Sequence, residues 1–416
     1  MRKAGPNRFA VVAILAAFPV LLGGAIAGCS GGGSSPTNSP GSSGGSTSNI
    51  QAISVNTGPA VTAGTLAINS PFTSVTVCVP GSTSQCQTID GILVDTGSSG
   101  FRVLSSALTL SLPQQKDSSG NSIWECTQFI SDETWGPVQM ADVTISGETA
   151  SSLAIQVIGS SSFPAPPTSC SNLGPVDDTL ASFGANGILG VGNFIQDCGP
   201  ACTVSGSSNL GFYYTCPSSG CVVTTQALAQ QVSNPVSSFA SDNNGVIVEL
   251  PAVSGTQASL AGSLIFGIGT RSNNGLGGAT VYALDPNTGD LTTTFNSQPY
   301  TAFIDSGSNA IYFLDATTTG MPTCKDFTFW YCPTATQNFT ATIQGSNSAT
   351  TTINFSIGNA DTLLPPNSSD GVAPGLGGPE SGGNFDWGLP FFYGRNMYVA
   401  IEGQNTPGGA GPYIAF

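Results

Sequence analysis

Two segments of the chain repeat one pattern of apolar and polar residues. Residues 92–104 read ILVDTGSSGFRVL, and residues 302–314 read AFIDSGSNAIYFL. In each segment an apolar run leads into Asp, a hydroxyl residue, Gly and Ser, and a second apolar run follows. Short apolar runs bounded by turn-forming residues are typical of buried strands. The pattern therefore predicts two strand–turn–strand units, with Asp95 and Asp305 at their turns.

The rest of the chain also consists of short apolar segments separated by turn residues. The whole chain contains 54 Gly and 28 Pro, and only 7% of its residues are charged. This composition favours short strands joined by turns over long helices held by salt bridges. Without an N-terminal leader and linker about 365 residues remain, which is enough for two lobes. We therefore predict an all-β, bilobal fold with a few short helices.

The N-terminus has the features of a secretory signal. Residues 1–28 begin with basic residues, continue through an apolar run and end in small residues. Segment 26–29, Ile-Ala-Gly-Cys, resembles a bacterial lipobox. The resemblance implies cleavage before Cys29 and lipidation of its sulfur. An ordinary signal peptide followed by a chance cysteine is the alternative.

Residues 29–49 are predicted to be the lipidated cysteine and a flexible tether. From Ser30 onward the segment contains only Gly, Ser, Pro, Thr and Asn, so it has nothing apolar to bury. A coil of this kind spans about 25 Å. Because Ser30 and not Asp follows Cys29, the resemblance to sorted lipoproteins favours the outer membrane. We therefore expect a bacterial lipoprotein at the periplasmic face of the outer membrane or on the cell surface.

The charge balance excludes several partners and chemistries. Lys and Arg total 8 against 23 Asp and Glu, and the net charge is −15, so no basic patch is available to neutralise the phosphates of a nucleic acid. The chain has no His, which removes Ser-His-Asp and Cys-His catalysis and the commonest zinc sites. Chemistry must come from carboxylates, hydroxyls, thiols, lysines or the backbone, and neither a metal nor a cofactor is implied.

The cysteine count is suited to disulfides. There are 11 cysteines, and an even number remains when Cys29 is set aside. An exported chain meets an oxidising compartment, which favours five disulfides over metal thiolates, the alternative. The sequence does not determine which cysteines pair. The closest neighbours are Cys78 and Cys86, Cys198 and Cys202, Cys216 and Cys221, and Cys324 and Cys332.

Two carboxylates held together can perform chemistry that one cannot. They share one proton, so that one can deprotonate a water molecule while the other protonates a carbonyl oxygen. Gly97 and Gly307 let the two turns approach closely and leave backbone N–H groups directed at the carboxylates. Asp95 and Asp305 are therefore the candidate catalytic residues.

The two turns resemble the active site of the pepsin-like aspartic peptidases. The resemblance implies that the hydroxyls of Thr96 and Ser306 reach across to the opposite turn, and that Ser98 and Ser308 donate to the outer carboxylate oxygens. It also implies an aspartic-type endopeptidase that cleaves polypeptides without a covalent intermediate or a cofactor. We expect a monomer from a bacterial, lipid-anchored subgroup of this family.

The resemblance covers residues 50–416, nearly the whole exported part. It implies an N-terminal lobe at 50–262 with the first Asp turn and a C-terminal lobe at 263–416 with the second. The further blocks that carry it are GILGVG at 187–192, SLIFGIGT at 263–270, DWGLPFFYGRNMYVAIEG at 386–403 and the final PYIAF.

One departure from the family concerns the flap, the hairpin that covers the substrate. The family has a flap Tyr supported by a Trp, but Arg102 stands at the Trp position, and the predicted flap at 124–145 has no Tyr. Phe129 and Trp135 are the aromatic residues near its tip, either as a possible flap that caps the substrate or as packing under the hairpin. With Arg102 in place of Trp, we expect a wetter or more positive site.

A second departure lies before Gly388, where the family has two apolar residues and this chain has Asp386 and Trp387. Asp386 is either a third carboxylate that tunes the dyad or a solvated turn residue, and the second interpretation is the simpler. The cysteine-rich segment at 197–221 has no counterpart in the family, and we expect it to be a surface loop pinned by disulfides.

Three functions remain open from the sequence. The first is an aspartic peptidase, favoured because both carboxylates keep their Gly and hydroxyl partners. The second is a catalytically inactive pepsin-fold protein that binds a peptide or glycan, for which the missing flap Tyr is the argument. The third is an unrelated β-sandwich adhesin, in which Asp95 and Asp305 need not meet.

Overall fold

The structure is a computed structural model that describes residues 48–59, 67–129, 133–160, 163–171, 176–366, 368–380 and 382–416. The predicted signal sequence, Cys29 with its predicted lipidation, and nearly all of the predicted tether lie outside the described residues. Within the described ranges, no helix has the length and apolar character needed to span a membrane. Export and lipid anchoring stay predictions.

Two burial patterns show how the sequence forms strands. In Thr350–Ile357 buried and outward-facing residues alternate from Ile353 onward, because one face of the strand lies on the core. In Gly187–Val191 every residue is buried, as a continuous apolar run predicts. The first twelve strands are β1 (Ile50–Val55), β2 (Pro71–Cys78), β3 (Cys86–Asp95), β4 (Ser99–Leu104), β5 (Ile123–Gln128), β6 (Glu133–Ile145), β7 (Glu148–Ile158), β8 (Gly187–Val191), β9 (Tyr213–Thr215), β10 (Val222–Val223), β11 (Gly245–Leu250) and β12 (Leu260–Phe266).

The second half of the chain is built from shorter strands on average. The next twelve are β13 (Val281–Ala283), β14 (Leu291–Phe295), β15 (Gln298–Ile304), β16 (Ile311–Phe313), β17 (Gln337–Gln344), β18 (Thr350–Ile357), β19 (Gly377–Gly378), β20 (Asn384–Trp387), β21 (Arg395–Ala400), β22 (Asn405–Thr406), β23 (Gly409–Ala410) and β24 (Tyr413–Ala415).

The strands form two large sheets. A 15-stranded sheet has the order β10-β9-β5-β6-β7-β4-β8-β3-β2-β1-β12-β11-β21-β24-β13, and β6 also pairs with β2. A 7-stranded sheet has the order β18-β17-β14-β15-β20-β16-β19. The first Asp turn belongs to the larger sheet and the second to the smaller one. The lobe boundary predicted at 262/263 falls inside β12, which pairs with both β1 and β11.

Helices in the described ranges are short. Side chains of Thr179, Asp315 and Asn359 accept N–H groups at the starts of the three α-helices. The all-β prediction with few short helices is confirmed. The helices are α1 (Leu180–Phe183), α2 (Ala316–Thr319) and α3 (Ala360–Leu363), and 3₁₀ turns lie at Gly199–Cys202, Gly206–Ser208, Leu228–Gln230, Pro235–Ser238 and Leu389–Phe391.

The ten cysteines other than Cys29 form five disulfides, which confirms that prediction and removes them as metal thiolates. Four disulfides close short loops, and the fifth, Cys126–Cys170, joins positions 44 residues apart. A longer loop removes more entropy from the unfolded chain, so this disulfide is expected to stabilise the fold most. The short ones are Cys78–Cys86, Cys198–Cys202, Cys216–Cys221 and Cys324–Cys332.

An aromatic cluster lies in the hydrophobic core that packs against the smaller sheet. Phe313 lies 5.0 Å from Phe385 between ring centroids, and Phe385 lies 4.7 Å from Trp387. The indole N–H of Trp387 donates to the hydroxyl of Thr293 at 2.9 Å. Pairs of this kind contribute about 0.5–1.5 kcal/mol each beyond the area they bury. The cluster gives the strands around the second Asp turn a rigid support.

Candidate active site

The first Asp turn is held by three strands. β3 ends at Asp95 and β4 resumes at Ser99, while β8 runs between them, parallel to β3 and antiparallel to β4. Gly190 of β8 pairs with Asp95 and with Gly100. A Cβ at Gly190 would lie 2.8 Å from the hydroxyl of Ser98, so only Gly fits behind the turn.

The second Asp turn repeats this arrangement in the smaller sheet. β15 leads into Asp305 and β16 follows it, while β20 runs between them, parallel to β15 and antiparallel to β16. Gly388, directly after β20, has the role of Gly190, since a Cβ there would lie 2.1 Å from the carbonyl oxygen of Ala310. The sequence repeat thus corresponds to a structural repeat.

The two turns are locked together by reciprocal hydrogen bonds. The Thr96 hydroxyl accepts from Ser306 N–H at 2.9 Å and donates to the carbonyl of Ile304 at 3.3 Å. The Ser306 hydroxyl accepts from Thr96 N–H at 3.1 Å and donates to the carbonyl of Val94 at 2.8 Å. The hydroxyls reach across as the resemblance implied, and they fix the two carboxylates relative to each other.

Each carboxylate is held by its own turn. The Gly97 N–H donates to Oδ1 of Asp95 at 2.8 Å, and the Ser98 hydroxyl donates to Oδ2. The Gly307 N–H donates to Oδ1 of Asp305 at 2.7 Å. The Ser308 hydroxyl donates to Oδ2 of Asp305 at 3.0 Å.

Asp95 and Asp305 meet, and both are fully buried. A Cβ added to Gly97 would lie 2.5 Å from Cγ of Asp305, so the turns touch where each has Gly. The carboxyls of Asp95 and Asp305 interact as hydrogen-bond partners, which lowers the pKa of Asp95 and raises that of Asp305. This contact excludes the sandwich interpretation, in which the two residues need not meet.

The pKa values of the two carboxyls are raised unequally. Burial raises the pKa of Asp95, while hydrogen bonds from Asp305, Ser98 and Gly97 lower it. The pKa of Asp305 is raised well above its usual range by burial and by the negative charge of Asp95. Because two negative charges this close in a buried site repel each other strongly, the pair is expected to keep one shared proton.

Comparison with known proteins agrees with this geometry. The model of one family, described as "Protein of unknown function (DUF3443)", matches residues 45–416. The chain belongs to the DUF3443 family. Among solved structures, the aspartic proteinase from Irpex lacteus is similar at 15% identity, with a TM-score of 0.50, over 88% of this chain and 96% of that chain. No curated protein matches the sequence. The fold of this DUF3443 protein is pepsin-like.

The environment of Arg102 in the structure differs from the prediction. Its side chain is 0% exposed and forms ion pairs with Glu125 at 2.7 Å and Asp197 at 2.9 Å. It also donates to the hydroxyl of Thr127 at 2.8 Å. The expectation of a wetter site is wrong, because the guanidinium is fully buried against Glu125 and Asp197, although its charge still lowers the pKa of Asp95. In this DUF3443 protein, Arg102 instead ties β5, the first strand of the hairpin, to the body of the lobe.

The possible flap residues lie in the core. Phe129 and Trp135 are each 3% exposed. Phe129 packs in a small apolar cluster with Phe72 and Ile188, and the Trp135 ring stacks on that of Trp124 at 5.4 Å. This corrects the interpretation in which they cap a substrate, because the cores on either side of the hairpin bury both rings.

The cysteine-rich segment at 197–221 is more than a surface loop. It carries two disulfides, as expected, but its strand β9 pairs with β5 and extends the sheet of the hairpin. Tyr213 is buried and its hydroxyl donates to Asp197 at 2.7 Å. Sequence reasoning missed Glu125, Asp197 and Tyr213, for which the one available signal was an isolated acid in the apolar segment Ile-Trp-Glu-Cys.

Asp386 is not a solvated turn residue. It lies on β20 with 2% exposure, directly beside the strands that enter and leave the second turn. Burial raises its pKa well above the usual range, and a hydrogen bond from Ser308 lowers it. The simpler interpretation from the sequence is therefore wrong, because pairing with β15 and β16 draws the acid into the interior.

Proposed function

We propose that this DUF3443 protein is an aspartic-type endopeptidase. The observation that carries the proposal is the contact between Asp95 and Asp305, each held by a Gly N–H and a Ser hydroxyl. The polypeptide substrate would bind over the dyad, and no covalent intermediate forms. Residues that merely supported a fold would not need two buried acids in contact.

The unequal environments divide the roles. Asp95, with the less raised pKa, is the base that takes a proton from the attacking water. Asp305, with the more strongly raised pKa, holds the shared proton and donates it to the carbonyl oxygen of the scissile bond. The carbonyl carbon gains the hydroxyl. As the C–N bond of the tetrahedral product breaks, Asp95 gives the proton it took from water to the leaving amine, and Asp305 takes a proton back from a hydroxyl of the product, which restores the starting state. Neither step needs a metal.

A binding protein without catalytic activity is the second candidate. It is favoured by the burial of Phe129 and Trp135, since neither ring is exposed to close over a substrate. Such a protein would bind a peptide or glycan and release it uncut. The complete set of partners around the dyad favours catalysis instead.

The deciding experiment measures cleavage of an unfolded protein by residues 49–416 from about pH 3 to 7, where a shared-proton pair is expected to work. We expect a bell-shaped profile for the wild type. Asp95→Asn and Asp305→Asn should each lower the rate at least about hundredfold, since each removes the shared proton at almost constant shape. Asp326→Asn removes an exposed acid that belongs to neither turn and serves as the matched control.

Two results would contradict the proposal of an aspartic-type endopeptidase. Ligand binding without cleavage at any pH would establish the binding protein, and cleavage that survives in both dyad variants would reject the assignment of Asp95 and Asp305.

We further propose that the protein is anchored through Cys29 as an outer-membrane lipoprotein. The lipobox at 26–29 and the Gly- and Ser-rich tether support this. Mass spectrometry of the membrane fraction should find Cys29 acylated and residues 1–28 absent. Cys29→Ser should move the protein out of that fraction. A wild-type product with a free Cys29 thiol would contradict the anchor.

A further inference from the structure

Asp386 is a buried acid that the two-carboxyl mechanism does not use. At the equivalent position of the first lobe, also paired with the strand after the Asp turn, the chain has Ile188. An apolar side chain is thus compatible with this position in the fold, and burying an acid there is costly. Oδ1 of Asp386 is buried without a hydrogen-bond partner. Packing alone does not account for this residue.

Ser308 connects Asp386 to the dyad. Its hydroxyl donates to Oδ2 of Asp305 at 3.0 Å, and Ser308 is also the hydrogen-bonding group that lowers the pKa of the Asp386 carboxyl. A hydroxyl has one proton to donate. When Asp386 is protonated it can donate to Ser308, which is then free to donate to Asp305. When Asp386 is ionised, the two carboxylates compete for the same hydroxyl.

We propose that Asp386 is a positioning residue that shares protons with the dyad through Ser308 and so extends the active range of the enzyme to higher pH. The inference rests on the proposed peptidase function and deepens it. It makes the site a cluster of three carboxyls, of which two contact the substrate and the attacking water and the third acts through them.

Counting protons shows what the third carboxyl changes. A dyad alone is active in one state, with a single proton on the pair. With Asp386 present, two protonation states of the site are active. In one the dyad holds its single proton while Asp386 is protonated, and in the other the dyad holds it while Asp386 is ionised. The negative charge of ionised Asp386 then opposes loss of the proton from Asp305. The basic limb of the pH profile therefore moves up, while the acid limb, where Asp386 is protonated, stays in place.

Other charged and titratable groups around Asp386 also affect the pKa values of the three carboxyls. Glu380, in the segment before β20, and Asp95 raise its pKa by like charge. Tyr312 faces it from β16, and its hydroxyl, whose pKa is raised, stays neutral. Arg102 lies in the first lobe and lowers the pKa of Asp95. Glu380 and Asp95 therefore favour retention of the proton on Asp386, and Arg102 opposes its retention on Asp95.

The test compares the pH profiles of the wild type and Asp386→Asn. The amide keeps the shape and can still donate to Ser308, but it does not titrate. For Asp386→Asn we expect the basic limb of the pH profile to move down by about one pH unit, because a nearby charge shifts the pKa of a carboxyl by about that much or more. The acid limb should not change. Asp326→Asn should leave both limbs in place. A uniform loss of rate with both limbs unmoved would show a merely structural role and overturn the inference.

A second readout does not need activity. Aspartate labelled with ¹³C at Cγ allows the titration of Asp305 to be followed by NMR, and Asp386→Asn should move its midpoint to lower pH. If the wild type cleaves nothing but Asp386→Asn moves the titration midpoint of Asp305, the peptidase proposal is wrong, and the inference that Asp386 shares protons with the pair is supported. If the wild type cleaves and neither the limb nor the midpoint moves, the inference about Asp386 fails and the peptidase stands.

Discussion

The two Asp turns share one backbone arrangement but have opposite charged neighbours. In the first lobe, the strand after the turn brings Arg102 beside Ile188 of β8. In the second lobe, the equivalent strand brings Tyr312 beside Asp386 of β20. A cation thus lies behind Asp95 and an acid behind Asp305. Identical local geometry therefore supports two carboxyls with different proton affinities.

This difference bears on the chemistry proposed for the pair. Burial raises the pKa of both carboxyls; in addition, the charge of Arg102 lowers the pKa of Asp95, and the charge of Asp386 raises that of Asp305. In the proposed mechanism these charges favour Asp95 as the base and Asp305 as the acid before a substrate binds. The motif positions the carboxyls, and the residues behind it add to the difference in their proton affinities.

The contrast between the two Asp turns is expected to have its largest effect on stability at Arg102. In Arg102→Met the carboxylates of Glu125 and Asp197 stay buried without their cation. We expect the free energy of unfolding to fall by about 3–5 kcal/mol, the usual effect of removing one partner of a buried ion pair. Urea denaturation at neutral pH measures this change.

The control for Arg102 replaces all three charged residues together. Arg102→Met combined with Glu125→Gln and Asp197→Asn leaves no buried charge in the cluster and should recover much of the loss. A loss below about 1 kcal/mol in the single variant would mean that the pairs behave as exposed ones, and the contrast between the lobes would disappear.

A smaller effect is expected at the equivalent residue of the second lobe. The Tyr312 hydroxyl donates to Oδ1 of Asn309 at 2.6 Å. Tyr312→Phe removes this one hydrogen bond and should lower the free energy of unfolding by about 1 kcal/mol. The same urea titration gives the value. A loss equal to that of Arg102→Met would show that both lobes depend equally on the residue behind the turn.

Much of the fold and the dyad was predictable because its signals are local and repeated. Each Asp turn has its strand, its Gly and its hydroxyls within a few residues of sequence, and the second copy removes the ambiguity of the first. The prediction of five disulfides followed from the even number of cysteines other than Cys29. The pairing of Cys126 with Cys170 did not, because 44 residues separate them.

The interpretations of Arg102, Asp386 and the hairpin aromatics failed for one physical reason. Burial and charge depend on what packs against a side chain from distant parts of the chain. Arg102 pairs with Asp197, which lies 95 residues away in a segment with no counterpart in the pepsin-like peptidases.

By itself, then, the sequence determines that this chain forms an all-β fold with two Asp turns, since turn chemistry and strand periodicity act over a few residues. It does not determine which Asp keeps the proton. That depends on the desolvation of Asp386 between β15 and β16 and on the ion pairs of Arg102. Electrostatic energies in a low-dielectric interior are set by distances between groups far apart in sequence, so only the tertiary structure decides them.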